Sequence, residues 1–217
     1  MDATTGSWLL GQIEEATLEE ILAQLRSSIN PPCRLKQTHI AALDALAATH
    51  LRETQSPTVS LCGRPLPLLY KIVSTLVSPP HAKAVFVVDL DGRFDVSCLD
   101  CEGGDLAHVY VQRPSRGSPE QLRRVVAGAE HFMLYHEDAR RSRDREWWGT
   151  VVVGGLAAGD VTAGWKGWLR IERSSVPGFA AGVGVDEVWR QREARERAVE
   201  ATGWVASSQW GGFEFTV

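Results

Sequence analysis

Val59-Ser60-Leu61-Cys62-Gly63-Arg64-Pro65-Leu66-Pro67-Leu68-Leu69-Tyr70-Lys71 is the stretch on which the fold turns. A short apolar strand runs into one glycine, two prolines and a helix-like apolar run. Strand, loop and helix in this order are how a nucleotide-binding α/β domain presents its phosphate loop. A loop of the form G-x-x-x-x-G-K-[ST] wraps phosphates with backbone N–H groups that glycine leaves free. It also sets a lysine on the β/γ-phosphates and a hydroxyl on magnesium. Counted from Gly63, the last three places hold Leu68, Leu69 and Tyr70. Each proline removes one more donor. Lys71 falls beyond the lysine's place and reads as an ordinary helical lysine. The context predicts nucleotide chemistry, and the residues do not supply it.

At 217 residues, 44% of them hydrophobic and 23% charged, the chain suits one globular domain with a sizeable core. A net charge of −4 argues against coating nucleic acid with the whole surface and leaves room for a local basic patch. No apolar run approaches the roughly 18 residues of a membrane span. The N-terminus lacks a cationic-then-apolar leader pattern, so an intracellular protein is expected. Cys33, Cys62, Cys98 and Cys101 are too few for a disulfide scaffold at this length and are expected as free thiols. Every tryptophan except Trp8 lies at or beyond Trp147, which gives the last third a different packing task.

Periodicity supplies the elements around the opening stretch. Thr17-Leu18-Glu19-Glu20 has capping-box spacing, and Leu18, Ile21, Leu22, Leu25 and Ile29 recur at helical period up to Pro31-Pro32. A second helix is expected over Gln37–His50, and a third over Leu66–Leu76, ended by Pro79-Pro80. Ala84–Val88 is a continuous apolar run, the pattern of a parallel strand buried on both faces, and ends in Asp89-Leu90-Asp91-Gly92. Ala107–Val111 reads as the next strand. Ser118-Pro119-Glu120-Gln121 opens a helix with Ser as N-cap and Pro at the first helical position. Trp148–Val153 is another buried strand. Strands alternating with helices imply βαβ units and a mostly parallel sheet. Beyond Gly155 the style changes. Trp168–Arg173 alternates as a half-exposed, antiparallel strand, Asp186–Ala201 reads as one charged helix with i,i+4 pairs, and Phe213–Val217 closes the chain as a strand. This divides the chain into an N-terminal helical segment, 1–52, packing on a core domain, 53–217.

The order of these pieces resembles the ATPase core of RecA-type recombinases, and within it the eukaryotic recombination paralogues. Leu43-Asp44-Ala45-Leu46 looks like the family's leucine-aspartate segment before the first core strand. Val87-Val88-Asp89-Leu90-Asp91-Gly92-Arg93-Phe94-Asp95 is similar to the family's strand ending in Asp-Thr-Glu-Gly-x-Phe, with Asp91 where active members carry a water-orienting glutamate. Gly154 stands where a magnesium-associated aspartate is expected, and Gly164–Arg170 through Phe213-Glu214-Phe215 is similar to the closing antiparallel strands. The nearest subgroup is the X-ray-repair-cross-complementing-two type, with a sister subgroup close behind. The resemblance implies a RecA-like core with a vestigial nucleotide site at Gly63, Leu69, Tyr70, Asp89, Asp91 and Gly154. No cofactor and no catalysis follow from it, because little is left to offset triphosphate charge. It further implies a nuclear subunit of a mediator that helps recombinase filaments assemble on single-stranded DNA. Its expected partner is another paralogue or a SWIM-type zinc protein.

Other residues admit two readings each. Asp89 and Asp91 are a leftover magnesium pair, which would fit a weak ATPase, or acids capping the turn after their strand. Cys98-Leu99-Asp100-Cys101 has the spacing of a zinc or redox site but lacks a second ligand pair nearby, and free thiols fit as well. His131, His136 and Glu137 form no metal or triad pattern and read as surface residues. Arg140, Arg141, Arg143 and Arg145 followed by Trp147 join positive charge to aromatic faces, which suits a single-stranded backbone and its bases. A solvated loop beside core tryptophans has the same composition. Arg116 adds one charge nearby. Leu18, Leu22 and Leu25, with Trp189, Trp204 and Trp210, are the partner-contact candidates, since interface hot spots favour tryptophan; exposed or packed faces would read alike.

Overall fold

A computed structural model describes residues 34–114, 119–154, 159–176, 178–179 and 182–216. These belong almost entirely to one compact unit that begins at Leu35. The expected helix carrying Leu18, Leu22 and Leu25 lies outside the described residues, as do Cys33 and Arg116.

Helix α1 (Ala41–Thr54) starts four residues later than its periodicity suggests. The delay has a local cause: the Asp44 carboxylate accepts hydrogen bonds from the backbone N–H groups of Thr38 (2.8 Å) and His39 (3.0 Å), fixing a turn ahead of the helix. Leu43 and Ala47 bury its inner face in the main core. The 52/53 division therefore falls within a helix that is part of the core.

Strand β1 (Val59–Gly63) is followed by α2 (Leu66–Val77), β2 (Ala84–Asp89), a single helical turn α3 (Gly103–Leu106) and β3 (Val109–Gln112). Helix α4 (Pro119–Tyr135) leads through a 3-10 turn at Glu137–Ser142 to β4 (Trp147–Val153), β5 (Val161–Ala163) and β6 (Leu169–Arg173). Helices α5 (Val185–Arg190) and α6 (Arg192–Glu200) precede β7 (Trp204–Ser208) and β8 (Gly211–Phe215). The strands form one sheet in the order β3-β2-β4-β5-β1-β6-β7-β8. From β3 to β6 all neighbours are parallel, and β7 runs antiparallel to both β6 and β8. The protein is thus mixed α/β, with a mostly parallel sheet, flanking helices and antiparallel closing strands.

All six residues of β2 are buried, as its unbroken apolar run requires of a strand covered on both faces. On one face Val85, Val87, Val151 and Val153 meet Leu68, Leu69, Ile72 and Leu76 of α2 and Leu43 of α1. On the other, Phe86, Val88 and Val152 meet Ala129 and Phe132 of α4.

Three expectations change. Strand β6 alternates buried and exposed as expected, but it is parallel to β1 and antiparallel only to β7. The charged helix over Asp186–Ala201 is two helices, broken at Gln191, whose backbone flattens to ψ −3°. Its few apolar residues make no continuous stripe that would hold it straight on the body. Strands β5 and β7 add to the expected elements, being short or only weakly alternating.

Candidate functional site

The carboxyl ends of β1, β2 and β4 are where an α/β sheet of this kind holds a ligand. Only Arg64 and Pro65 separate β1 from α2. Gly63 sits in the left-handed region (φ 79°), and a Cβ there would stand 2.5 Å from the Ile171 carbonyl oxygen of β6. Arg64 N–H donates to that same oxygen at 2.9 Å. The connection is pinned against β6 and has no free length to wrap a triphosphate. Leu68 and Leu69 are fully buried in the core of α2. Pro67, in the helix's first turn, has no N–H to offer an anion.

Tyr70 stands where the loop hydroxyl would be and faces inward. Its hydroxyl accepts from Asp95 N–H at 3.2 Å, and its ring packs on Phe94 with centroids 5.3 Å apart. Burial raises its pKa. Asp89, 1% exposed, is the centre of the same assembly. One oxygen accepts from Arg93 N–H (3.1 Å), the other from Phe94 N–H (3.0 Å) and from Arg113 Nε (3.2 Å). Arg113 also donates to the Phe94 carbonyl at 2.8 Å. Of the two readings of Asp89, the geometry is that of the turn cap: its oxygens are engaged by donors rather than open to a metal. Arg113 was not singled out in the sequence, where nothing marks it as the partner of an acid 24 residues earlier.

Asp91 is exposed on the same edge. Gly154, at φ 83°, has Asp91 lying where its side chain would begin: a Cβ there would be 2.4 Å from the Asp91 carboxyl carbon. The acid of one strand end fills the space left by the missing side chain of the other. Among the described residues no group of three His, Cys, Asp or Glu is arranged to hold a metal ion. Lys71 donates to the Thr216 carbonyl at 2.7 Å, tying α2 to the end of β8.

The cysteine pair divides: Cys98 is exposed and Cys101 half-buried. Burial raises the Cys101 pKa, and Asp105 and Asp100 add to the shift. A thiol held protonated is a poor nucleophile and a poor metal ligand.

The arginine run lies at the opposite, amino edge of the sheet. Arg145 donates to Asp105 at 2.6 Å and to the Val77 carbonyl at 2.7 Å, and Asp105 is 6% exposed. It is thus engaged inside the fold. Arg140 pairs with Glu137 at 3.0 Å, while Arg141 and Arg143 are exposed. Trp147 is half-buried, with the Lys36 ammonium 5.3 Å from its ring centre. The tryptophans divide likewise. Trp210 packs edge-on to His50 and Trp168 and donates to Glu53, and Trp204 is half-buried beneath Arg173. Trp189 is 64% exposed and borders, with Phe179, Val188 and Val199, an open groove of about 510 Å³ on α5 and α6. His131, His136 and Glu137 are exposed, as read.

Comparison of the chain with protein-family models, with curated proteins and with solved structures finds no match.

Proposed function

We propose that this protein is a non-catalytic RecA-type recombination paralogue. In this reading it is a nuclear subunit of a repair mediator that supports recombinase filaments on single-stranded DNA. The observation that supports the non-catalytic part of the reading is the two-residue Arg64-Pro65 connection ahead of a helix whose Leu68, Leu69 and Tyr70 fill the core. A parallel sheet with antiparallel closing strands is kept, while the loop that would hold a triphosphate is not. The protein then works by the surfaces its core presents. The arm of α5 and α6, with exposed Trp189, is the face offered to a second paralogue or a SWIM-type zinc protein, and Arg141 and Arg143 are the cations left to meet a DNA backbone.

Two measurements test this on the purified chain. Titration with a fluorescent ATP analogue and Mg²⁺ should give no saturable binding. Micromolar affinity that Asp91→Ala abolishes would replace the scaffold with a weak ATPase. Replacing Arg141 and Arg143 with alanine should weaken single-stranded DNA binding and flatten the slope of its logarithm against log salt by roughly 0.7 per charge removed. An unchanged slope would remove these residues from the DNA reading.

A further inference from the structure

Residues 35–40 cross the amino ends of β4 and β5 as a strap held by side chains from four places. The Trp148 indole N–H donates to the Gln37 carbonyl at 2.7 Å, and the Lys36 ammonium reaches Asp160 at 3.0 Å. Thr38 is buried, and its N–H and that of His39 end on the Asp44 carboxylate. The fourth hold is a pair of imidazoles. His39 stacks on His81, which lies in the turn between α2 and β2, with ring centroids 3.7 Å apart and planes 14° from parallel. The His39 backbone takes φ 61° to present the ring.

We propose that the His39–His81 stack is an acid-released latch on this strap. Two neutral imidazoles stack favourably; two imidazolium ions at this separation repel. Even at the dielectric of water the repulsion of unit charges about 4 Å apart disfavours the doubly charged stack by about sixfold. Of the charged groups around the pair, Lys83 acts in the same sense as this repulsion. Lys83, on the same turn, adds positive charge near His81, and its own ammonium pairs with Glu146 at the start of β4. On the strap side, the Asp44 carboxylate is engaged by the Thr38 and His39 N–H groups and Lys36 by Asp160. Partial burial, then His39 and Lys83, lower the His81 pKa from its ordinary 6.5. A lowered folded-state value means that the unfolded or unlatched form binds protons more readily. The contribution of the latch is therefore complete above 6.5 and is lost as the pH falls below it.

The test is amide hydrogen exchange at Thr38 and His39 in the full chain, with protection factors corrected for intrinsic rate, at pH 7.5 and pH 5.0. Protection should fall about sixfold or more at pH 5.0. In His81→Gln, and in His39→Asn, whose asparagine tolerates the left-handed backbone, protection should be lower at pH 7.5 and change little with pH. Equal protection at both pH values in the native chain would overturn the latch. So would a fall of the same size in both variants, which would assign the acid response to another group such as Asp44.

Discussion

Replacing Asp89 with alanine separates a turn cap from a metal ligand. The carboxylate accepts from two backbone N–H groups and one guanidinium, and it is wholly buried. Its loss leaves the buried Phe94 N–H unsatisfied, at about 2 kcal/mol, and the part-buried Arg93 N–H, at about 1 kcal/mol. The Arg113 side chain is 58% exposed, and water replaces its partner at little cost. The sum is about 3 kcal/mol, which for a chain of this length lowers the thermal midpoint by roughly 6–12 °C. Asp89→Asn keeps one accepting oxygen and turns an amide donor toward either the Arg93 N–H or the Phe94 N–H and Arg113, so its midpoint should fall between those of the native and alanine proteins. Urea unfolding followed by tryptophan fluorescence reads the change in midpoint, with calorimetry for the thermal shift. The reasoning fails if both variants unfold with the native protein. It fails most clearly if they also lose a Mg²⁺-dependent nucleotide affinity that the native chain displays.

Three further outcomes rest on contacts of the same kind. Arg145→Ala strips Asp105 of its buried partner and should cost about 3 kcal/mol, whereas Arg141→Ala or Arg143→Ala should stay within about 0.5 kcal/mol; urea midpoints compare them. Trp210→Ala removes a half-buried ring from His50 and Trp168 and should cost about 2 kcal/mol, while Trp189→Ala should leave stability unchanged and, on the proposed function, reduce partner recovery in a pull-down. His108, whose Nδ1 is 2.8 Å from Ser142 Oγ, has its pKa lowered from 6.5 by burial and then by Arg145. Between the folded and unfolded values the unfolded chain binds more protons, so stability rises with pH through that window and is lost below 6.5. Urea midpoints at pH 7.5, 6.5 and 5.5 should decline toward acid, and His108→Gln should flatten that decline.

What the sequence discloses here depends on whether a residue's partners are near it in the chain. Strand β2 is legible because burial on both faces forces an unbroken apolar run, and α4 because Pro119 stands at its first position. The parallel sheet follows from helices falling between strands. Strand β5 is three residues long and carries no pattern of its own; it exists because β1 and β4 flank it. The break at Gln191 is hidden because i,i+4 charge pairs look the same in one helix or two. The arginines are the sharper case. Arg141 and Arg145 are indistinguishable in composition, and what separates them is Asp105, 40 residues earlier. Trp189 and Trp210 differ in the same way, since Glu53, which binds the Trp210 indole, lies 157 residues away.

The carboxyl edge shows why an acid at a strand end is poor testimony for metal chemistry. Asp89 ends a buried parallel strand, and any turn that follows such a strand leaves N–H groups needing an acceptor. A carboxylate that meets Arg93, Phe94 and Arg113 satisfies them whether or not a metal was ever near. Gly154 and Asp91 carry the same logic further. With a side chain at 154 the Asp91 carboxyl could not lie where it does, the nearest approach being 2.4 Å, and the left-handed backbone there disfavours any residue but glycine. Placing an aspartate at 154 alone would thus meet both a steric and a like-charge penalty. Gly63, Tyr70, Asp89 and Gly154 are each fixed by local contacts: Gly63 and Arg64 against Ile171, Tyr70 against Phe94 and Asp95, Asp89 against Arg93, Phe94 and Arg113, and Gly154 against Asp91. Tyr70 and Asp89 also share Phe94 as a neighbour, so this edge is a packed structural surface, and a single substitution would not make it a nucleotide site.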